Sequence, residues 1–170
     1  MDTKEKEYFD LSLKISPKES EFVAMIGQSE WTEFKNTKIR EFDYTCQGCG
    51  YRPLNTDMAE RIMSPHIIEV SENPLESETT LLCKGCHATQ HIDVTIEKDW
   101  VEVVNTSYSQ KSLIEMSRIS STSTAVALGD IRKLKMSPQD YLKRLAEGSL
   151  LSVSKVKVIF KGNFPWGDIY

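Results

Sequence analysis

A chain of 170 residues with 39% hydrophobic side chains is long enough to bury a core in one domain, or in a small finger with an extension. No apolar run approaches the roughly 20 residues of a membrane span, and the charged first residues lack the apolar stretch of a secretory signal, so a cytoplasmic protein without membrane contact is expected. The net charge of −4 argues against coating nucleic acid by charge alone, yet residues 1–104 carry 11 Lys and Arg against 20 Asp and Glu, whereas residues 105–170 carry 10 against 5.

In chain order, Ser16, Pro17 and Glu19 open a helix by the rules of the capping box, and Gly27 sits where that helix stops. Ser29 caps a second helix through about Arg40, with Trp31 and Phe34 three apart on it. A short strand then breaks into the glycine-supported turn Cys46-Gln47-Gly48-Cys49-Gly50. Two short pieces are expected around residues 62–70, followed by a polar loop through Asn73-Pro74 to Glu78. Leu81-Leu82 leads into Cys83-Lys84-Gly85-Cys86-His87, and a short helix should follow. Ile92, Val94 and Ile96 alternate, as do Val101 and Val103, which reads as strands near residues 92–104.

Past residue 105 the chain turns Ser/Thr-rich and loses its cysteines and histidines, so a boundary is expected there. Residues 1–30 form an N-terminal helical segment in this division, 31–104 a finger and 105–170 a basic α/β extension. Ser120 to Thr124 reads as a polar connection. Ser137-Pro138-Gln139-Asp140 starts a helix that buries Tyr141, Leu142 and Leu145 and ends at Gly148; Val156, Val158 and Phe160 give a last strand. Gln139, Lys143 and Arg144 make that helix a candidate for DNA reading, and the basic side chains of this half, Arg118 among them, are candidates for phosphate contact. The aromatic tail, residues 164–170, is expected to pack on its own domain or on a protein partner.

All four cysteines lie in two Cys-x-x-Cys pairs with glycine in each turn. Two disulfides fit a secreted chain, and a redox motif needs only one pair, so a structural Zn²⁺ on Cys46, Cys49, Cys83 and Cys86 is the expected chemistry. Four thiolates close the shell and leave no position for substrate. The 33 residues between the pairs must then hold folded structure.

From Trp31 to Asp93 the chain resembles an HNH endonuclease domain of the cysteine-containing kind. The resemblance rests on an ordered set: the helix with Trp31, the first knuckle, Pro65-His66-Ile67-Ile68, Asn73-Pro74, and Leu82-Cys83-Lys84-Gly85-Cys86-His87 with His91. It implies an α+β fold, a treble-clef or ββα-metal zinc finger with N-terminal helices and a C-terminal α/β extension. It also implies DNA as partner and a second divalent cation, Mg²⁺, Mn²⁺ or Zn²⁺, beside the scissile phosphate, with His66 as general base. His87 and His91, four apart on a helix, would present both imidazoles to that cation. The pattern departs at Pro65, where the family places a ligating Asp or His. It departs a second time at the mid-motif Asn or His, which falls near Glu78 by spacing from Cys83; Glu78 is the expected ligand there, with Glu69 or Asn73 as substitutes.

Two functions from different classes follow. One is a metal-dependent endonuclease that hydrolyses DNA. The other is a degenerate HNH-like finger used as a binding or assembly module, motivated by Pro65, Glu78 and a finger acidic enough to repel phosphate. Each histidine also has a plain structural reading: His66 half-buried and hydrogen-bonded, His87 donating toward the zinc site, His91 on the helix surface.

Overall fold

The computed structural model describes residues 7–119, 131–148 and 155–166. The expected connection at Ser120 to Thr124 and the last four residues of the aromatic tail lie outside them. Among the described residues no helix is long and apolar enough to cross a membrane. The architecture is mixed α+β, with seven α-helices among the described residues and two small antiparallel sheets.

Residues before the first helix run extended along the middle of the chain. Phe9 N–H donates to Gln47 O, Lys14 N–H to Thr89 O and Ser16 N–H to Gln90 O, and Ile92 N–H donates back to Lys14 O. Because the Ser16 backbone is committed to this pairing, Ser16 does not cap a helix. Helix α1 (Glu19–Ile26) starts three residues later behind Lys18, with no side-chain cap, and ends at Gly27, whose φ of 91° favours glycine. Helix α2 (Gln28–Glu41) follows at once, starting at Gly27 rather than Ser29. Phe22 of α1 and Phe34 of α2 bury against Ile67, flanked by Ile26 and Trp31, in a satellite core.

The finger is built next. Helix α3 (Ala59–Ile62) leads into strand β1 (Met63–Glu69), which pairs with β2 (Glu78–Cys83) in an antiparallel hairpin. The register sets Met63 opposite Cys83 and His66 opposite Thr80, and Ile68 is the extra residue of a bulge. Helix α4 (Lys84–Gln90) begins where β2 ends, so Cys83 is at once the last strand residue and the helix cap.

Ile92, Val94 and Ile96 belong to a helix, α5 (Ile92–Glu97), not to the expected strand. Over so short a run, period-2 and helical spacing both accommodate alternation, and packing decides. Ile92 and Thr95, three apart, are buried, and the Thr95 hydroxyl donates to Ala88 O and His91 O at the helix start. The second alternation does form a strand, β3 (Val101–Thr106), at the centre of a sheet ordered β4-β3-β5, with β4 at Ile131–Lys133 and β5 at Val156–Phe160. The change of composition at residue 105 therefore falls inside β3.

Helix α6 (Gln110–Ile119) covers β5. Its Gln110 side chain is buried and satisfies both backbone groups of Val158, donating to the carbonyl at 2.8 Å and accepting from the N–H at 2.9 Å. Helix α7 (Pro138–Ala146) is capped as expected, with Asp140 N–H donating to Ser137 Oγ at 3.1 Å and Tyr141 buried. One continuous core joins Leu81 and Leu82 of the hairpin to Val158 and Phe160 of the second sheet. The described part of the aromatic tail packs on its own chain: Phe164 meets Trp100 and Phe160, and Trp166 meets Phe160 and Phe164.

Candidate metal centres

The four cysteines form one buried cluster able to hold a metal ion. Two sulfurs come from the turn after α2, where Gly50 N–H closes on Cys46 O and Cys46 N–H on Tyr51 O. The other two come from the end of β2 and the first turn of α4. Gly48 N–H and Cys83 N–H both donate to Cys46 Sγ, at 3.3 and 3.2 Å, as backbone donors do around a bound thiolate. Cys49 Sγ and Cys83 Sγ lie 3.8 Å apart. That matches the edge of a tetrahedron with zinc–sulfur bonds of about 2.3 Å, an edge of about 3.8 Å.

The glycines of the two turns serve different ends. Only Gly50 has the positive φ that glycine reaches cheaply, at 80°. Gly48 is required for space, since a Cβ there would sit 2.8 Å from Cys86 Sγ and 2.8 Å from Leu11 Cδ2. Gly85 is required for the tail, with Trp166 Cζ3 at 2.6 Å from a built Cβ.

Without a cation, four crowded sulfurs cannot titrate alike. Hydrogen bonds from Cys46, Cys83 and Cys86 hold the Cys49 thiol far below its ordinary range, with Arg118 adding to the effect. Hydrogen bonds to Cys46, Cys49 and Cys83 together with burial push Cys86 far above it. A divalent cation removes this conflict by holding all four as thiolates.

Arg118 was expected among the phosphate-binding cations of the second half, and its guanidinium instead caps this centre. Its Nη2 donates to Cys49 Sγ at 3.2 Å and to Cys83 Sγ at 3.1 Å, and the group lies over the Tyr51 ring at 4.0 Å. Burial works against its charge, and the two sulfurs more than offset that, raising its pKa further.

A second group gathers all three histidines of the chain around one carboxylate, that of Glu19, with a ligand atom from each of the four within 4.8 Å of the others. Glu19 Oε1 lies 2.9 Å from His66 Nδ1 and 3.0 Å from His87 Nε2, and Oε2 lies 2.8 Å from His91 Nε2. Strand β1 supplies His66, helix α4 supplies His87, and His91 follows at the junction with α5. His66 is hydrogen-bonded, as its plain reading has it, but more deeply buried, at 3% exposed; His91, at 9% exposed, is not a surface residue, and His87 faces Glu19 rather than the cysteine centre.

The proton arrangement calls for positive charge within this group. His91 Nδ1 lies 3.3 Å from Ser16 O, which can only accept, so Nδ1 carries a hydrogen and a neutral ring would present a bare Nε2. That lone pair faces a carboxylate oxygen at 2.8 Å and His87 Nε2 at 3.0 Å. Such an approach is stable only with an imidazolium or a bound cation between the groups. Burial would raise the Glu19 pKa, but the hydrogen bonds from His66, His87 and His91 drive it far below the carboxylate range. Burial lowers His87, whereas for His91 the Glu19 carboxylate outweighs burial and raises it.

Glu19 holds the place that Glu78 was expected to take. Glu78 is exposed at the start of β2, opposite Glu69, at the far end of the hairpin from Cys83, and does not join the histidine group; Asn73 caps a short turn by accepting from Leu75 N–H. Pro65 pairs with Leu81 in the hairpin and contributes no ligand. Beside the group opens a cleft of about 370 Å³, whose lining includes Glu19, His87 and His91 together with Lys18 and Lys84.

Comparison of the chain with family models, with curated proteins and with solved structures finds no match in any of the three.

Proposed function

We propose that the chain is an HNH-like metal-dependent endonuclease, in which β1, β2 and α4 form a ββα-metal unit of treble-clef type over a four-cysteine zinc site. The observation that carries this reading is the convergence of His66, His87 and His91 on one carboxylate beside an open cleft. When bound, a divalent cation (Mg²⁺, Mn²⁺ or Zn²⁺) supplies Lewis-acid stabilisation of charge on a phosphoryl oxygen. His87, His91 and Glu19 are the residues that would hold it. His66 takes a proton from water as general base, and Glu19, 2.9 Å from its Nδ1, orients the ring and stabilises the imidazolium that results. The lysines at the cleft attract the phosphate.

A second reading has its own support. His66 is buried and does not line the cleft, and three imidazole nitrogens with one carboxylate oxygen suffice for a closed four-ligand shell. The chain would then be an HNH-like finger with two structural ions, serving as a binding or assembly module.

Nicking of supercoiled plasmid DNA in the presence of Mg²⁺, Mn²⁺ or Zn²⁺, abolished by His66→Ala in a protein that retains its fold, is the expected result. Plasmid left intact under all three metals would sink the endonuclease and leave the module. Metal content tests the centre itself: two ions per chain should fall to one in a His87→Ala, His91→Ala double variant.

A further inference from the structure

The cleft beside the histidines is lined by both charged and apolar side chains, and we infer that it binds one unpaired nucleotide of a single-stranded nucleic acid, phosphate toward His87 and His91 and base against Trp100. This rests on the proposed cation centre and narrows its substrate. The charged lining is the cation ligands with Lys18 and Lys84, neither lysine being in an ion pair among the described residues. A divalent cation exceeds the single charge of Glu19, so with the two lysines this lining is positive and suited to a phosphodiester.

The apolar lining includes Val94, Trp100, Phe164 and Pro165. Trp100 is half-buried and held edge-to-face by Phe164 at 5.7 Å, which makes it a rigid platform rather than a mobile side chain. Flat aromatic rings next to a phosphate site are how proteins hold unpaired bases. A cleft of about 370 Å³ has room for one nucleoside.

The test uses the full zinc-loaded chain and a labelled strand of about 12 nucleotides, in DNA and in RNA form, alone and annealed to its complement, followed by fluorescence anisotropy. The single strand, with either sugar, should bind at least about tenfold more tightly than the duplex. Val94→Trp, which adds bulk to the cleft lining from the half-buried face of α5, should weaken strand binding about tenfold or more while metal content stays unchanged. Lys18→Gln, at an exposed position, should lower the salt slope by about 0.7. Equal or tighter duplex binding, failure of any strand to bind, or full binding by Val94→Trp would each overturn the inference. A strand bound yet left uncut under every metal sinks the endonuclease and leaves this inference standing. A duplex cut without preference for single strands does the reverse.

Discussion

Replacing Arg118 by methionine keeps much of the side chain's apolar stem and removes the guanidinium that lies on Cys49 Sγ at 3.2 Å and Cys83 Sγ at 3.1 Å. Hydrogen bonds to charged groups contribute about 1.5–3 kcal/mol each in proteins, with sulfur acceptors at the weak end, and a guanidinium over an aromatic ring adds about 0.5–2 kcal/mol. Not all of this reaches the metal, because part of it docks α6 against Tyr51. Residues that contact metal ligands typically change affinity by about 10–100-fold, or about 1.4–2.7 kcal/mol, which is consistent with the part of the interaction directed at the sulfurs. Arg118→Met should therefore lower the zinc affinity of the cysteine centre by about one to two orders of magnitude. Arg118→Lys should recover only a part, since an ammonium is more strongly hydrated and does not stack on the Tyr51 ring as the guanidinium does. Competition against a chromophoric zinc chelator at fixed pH gives the affinity, and the His87→Ala, His91→Ala background isolates this centre. A variant within threefold of wild type would show that the contacts to the sulfurs are incidental.

Gly48→Ala should cost about 1–3 kcal/mol and speed zinc release, because the new methyl meets Cys86 Sγ and Leu11 Cδ2 at 2.8 Å; urea unfolding and chelator-driven release measure the two effects. Ser137→Ala removes the acceptor of Asp140 N–H and should destabilise the protein by about 1 kcal/mol, read as a lower urea midpoint with an unchanged slope. The hydroxyl of Tyr141 is pushed up to about 12 by burial. Its folded pKa exceeds the unfolded value near 10, so the stability it contributes is present below pH 10 and lost as the pH rises toward 12. Urea midpoints across that range should fall more steeply in wild type than in Tyr141→Phe.

The cysteine centre was legible in the sequence because its determinants are local. Each Cys-x-x-Cys pair and its glycines fix one turn, and a closed thiolate shell needs nothing beyond the second pair. The three histidines were legible as a set through the order of the elements that carry them. Glu19 was not, because its position after Ser16 and Pro17 satisfied the local capping rule. Its actual partners, His66 and His87, lie 47 and 68 residues away, and no periodicity reports on a contact of that span. The backbone pairing of Ser16 with Gln90, which moved the helix start, is equally invisible locally. Arg118 was counted with the candidates for phosphate contact because charge counting says nothing about which way a side chain turns on an amphipathic helix.

The seating of α1 on the histidines gives the molecule an order of assembly. The cysteine centre draws only on residues between Cys46 and Cys86, and closing it brings together β1, β2 and α4. Those elements carry His66 and His87 and lead directly into His91, so most of the second centre is in place once the first has formed. What remains is to bring Glu19 back across the finished hairpin, a closure that gains its contacts only when the surface it meets already exists. The stretch of chain that precedes the hairpin in sequence is thus the last to be fastened, and the contacts of Glu19 with the three histidines are what hold it.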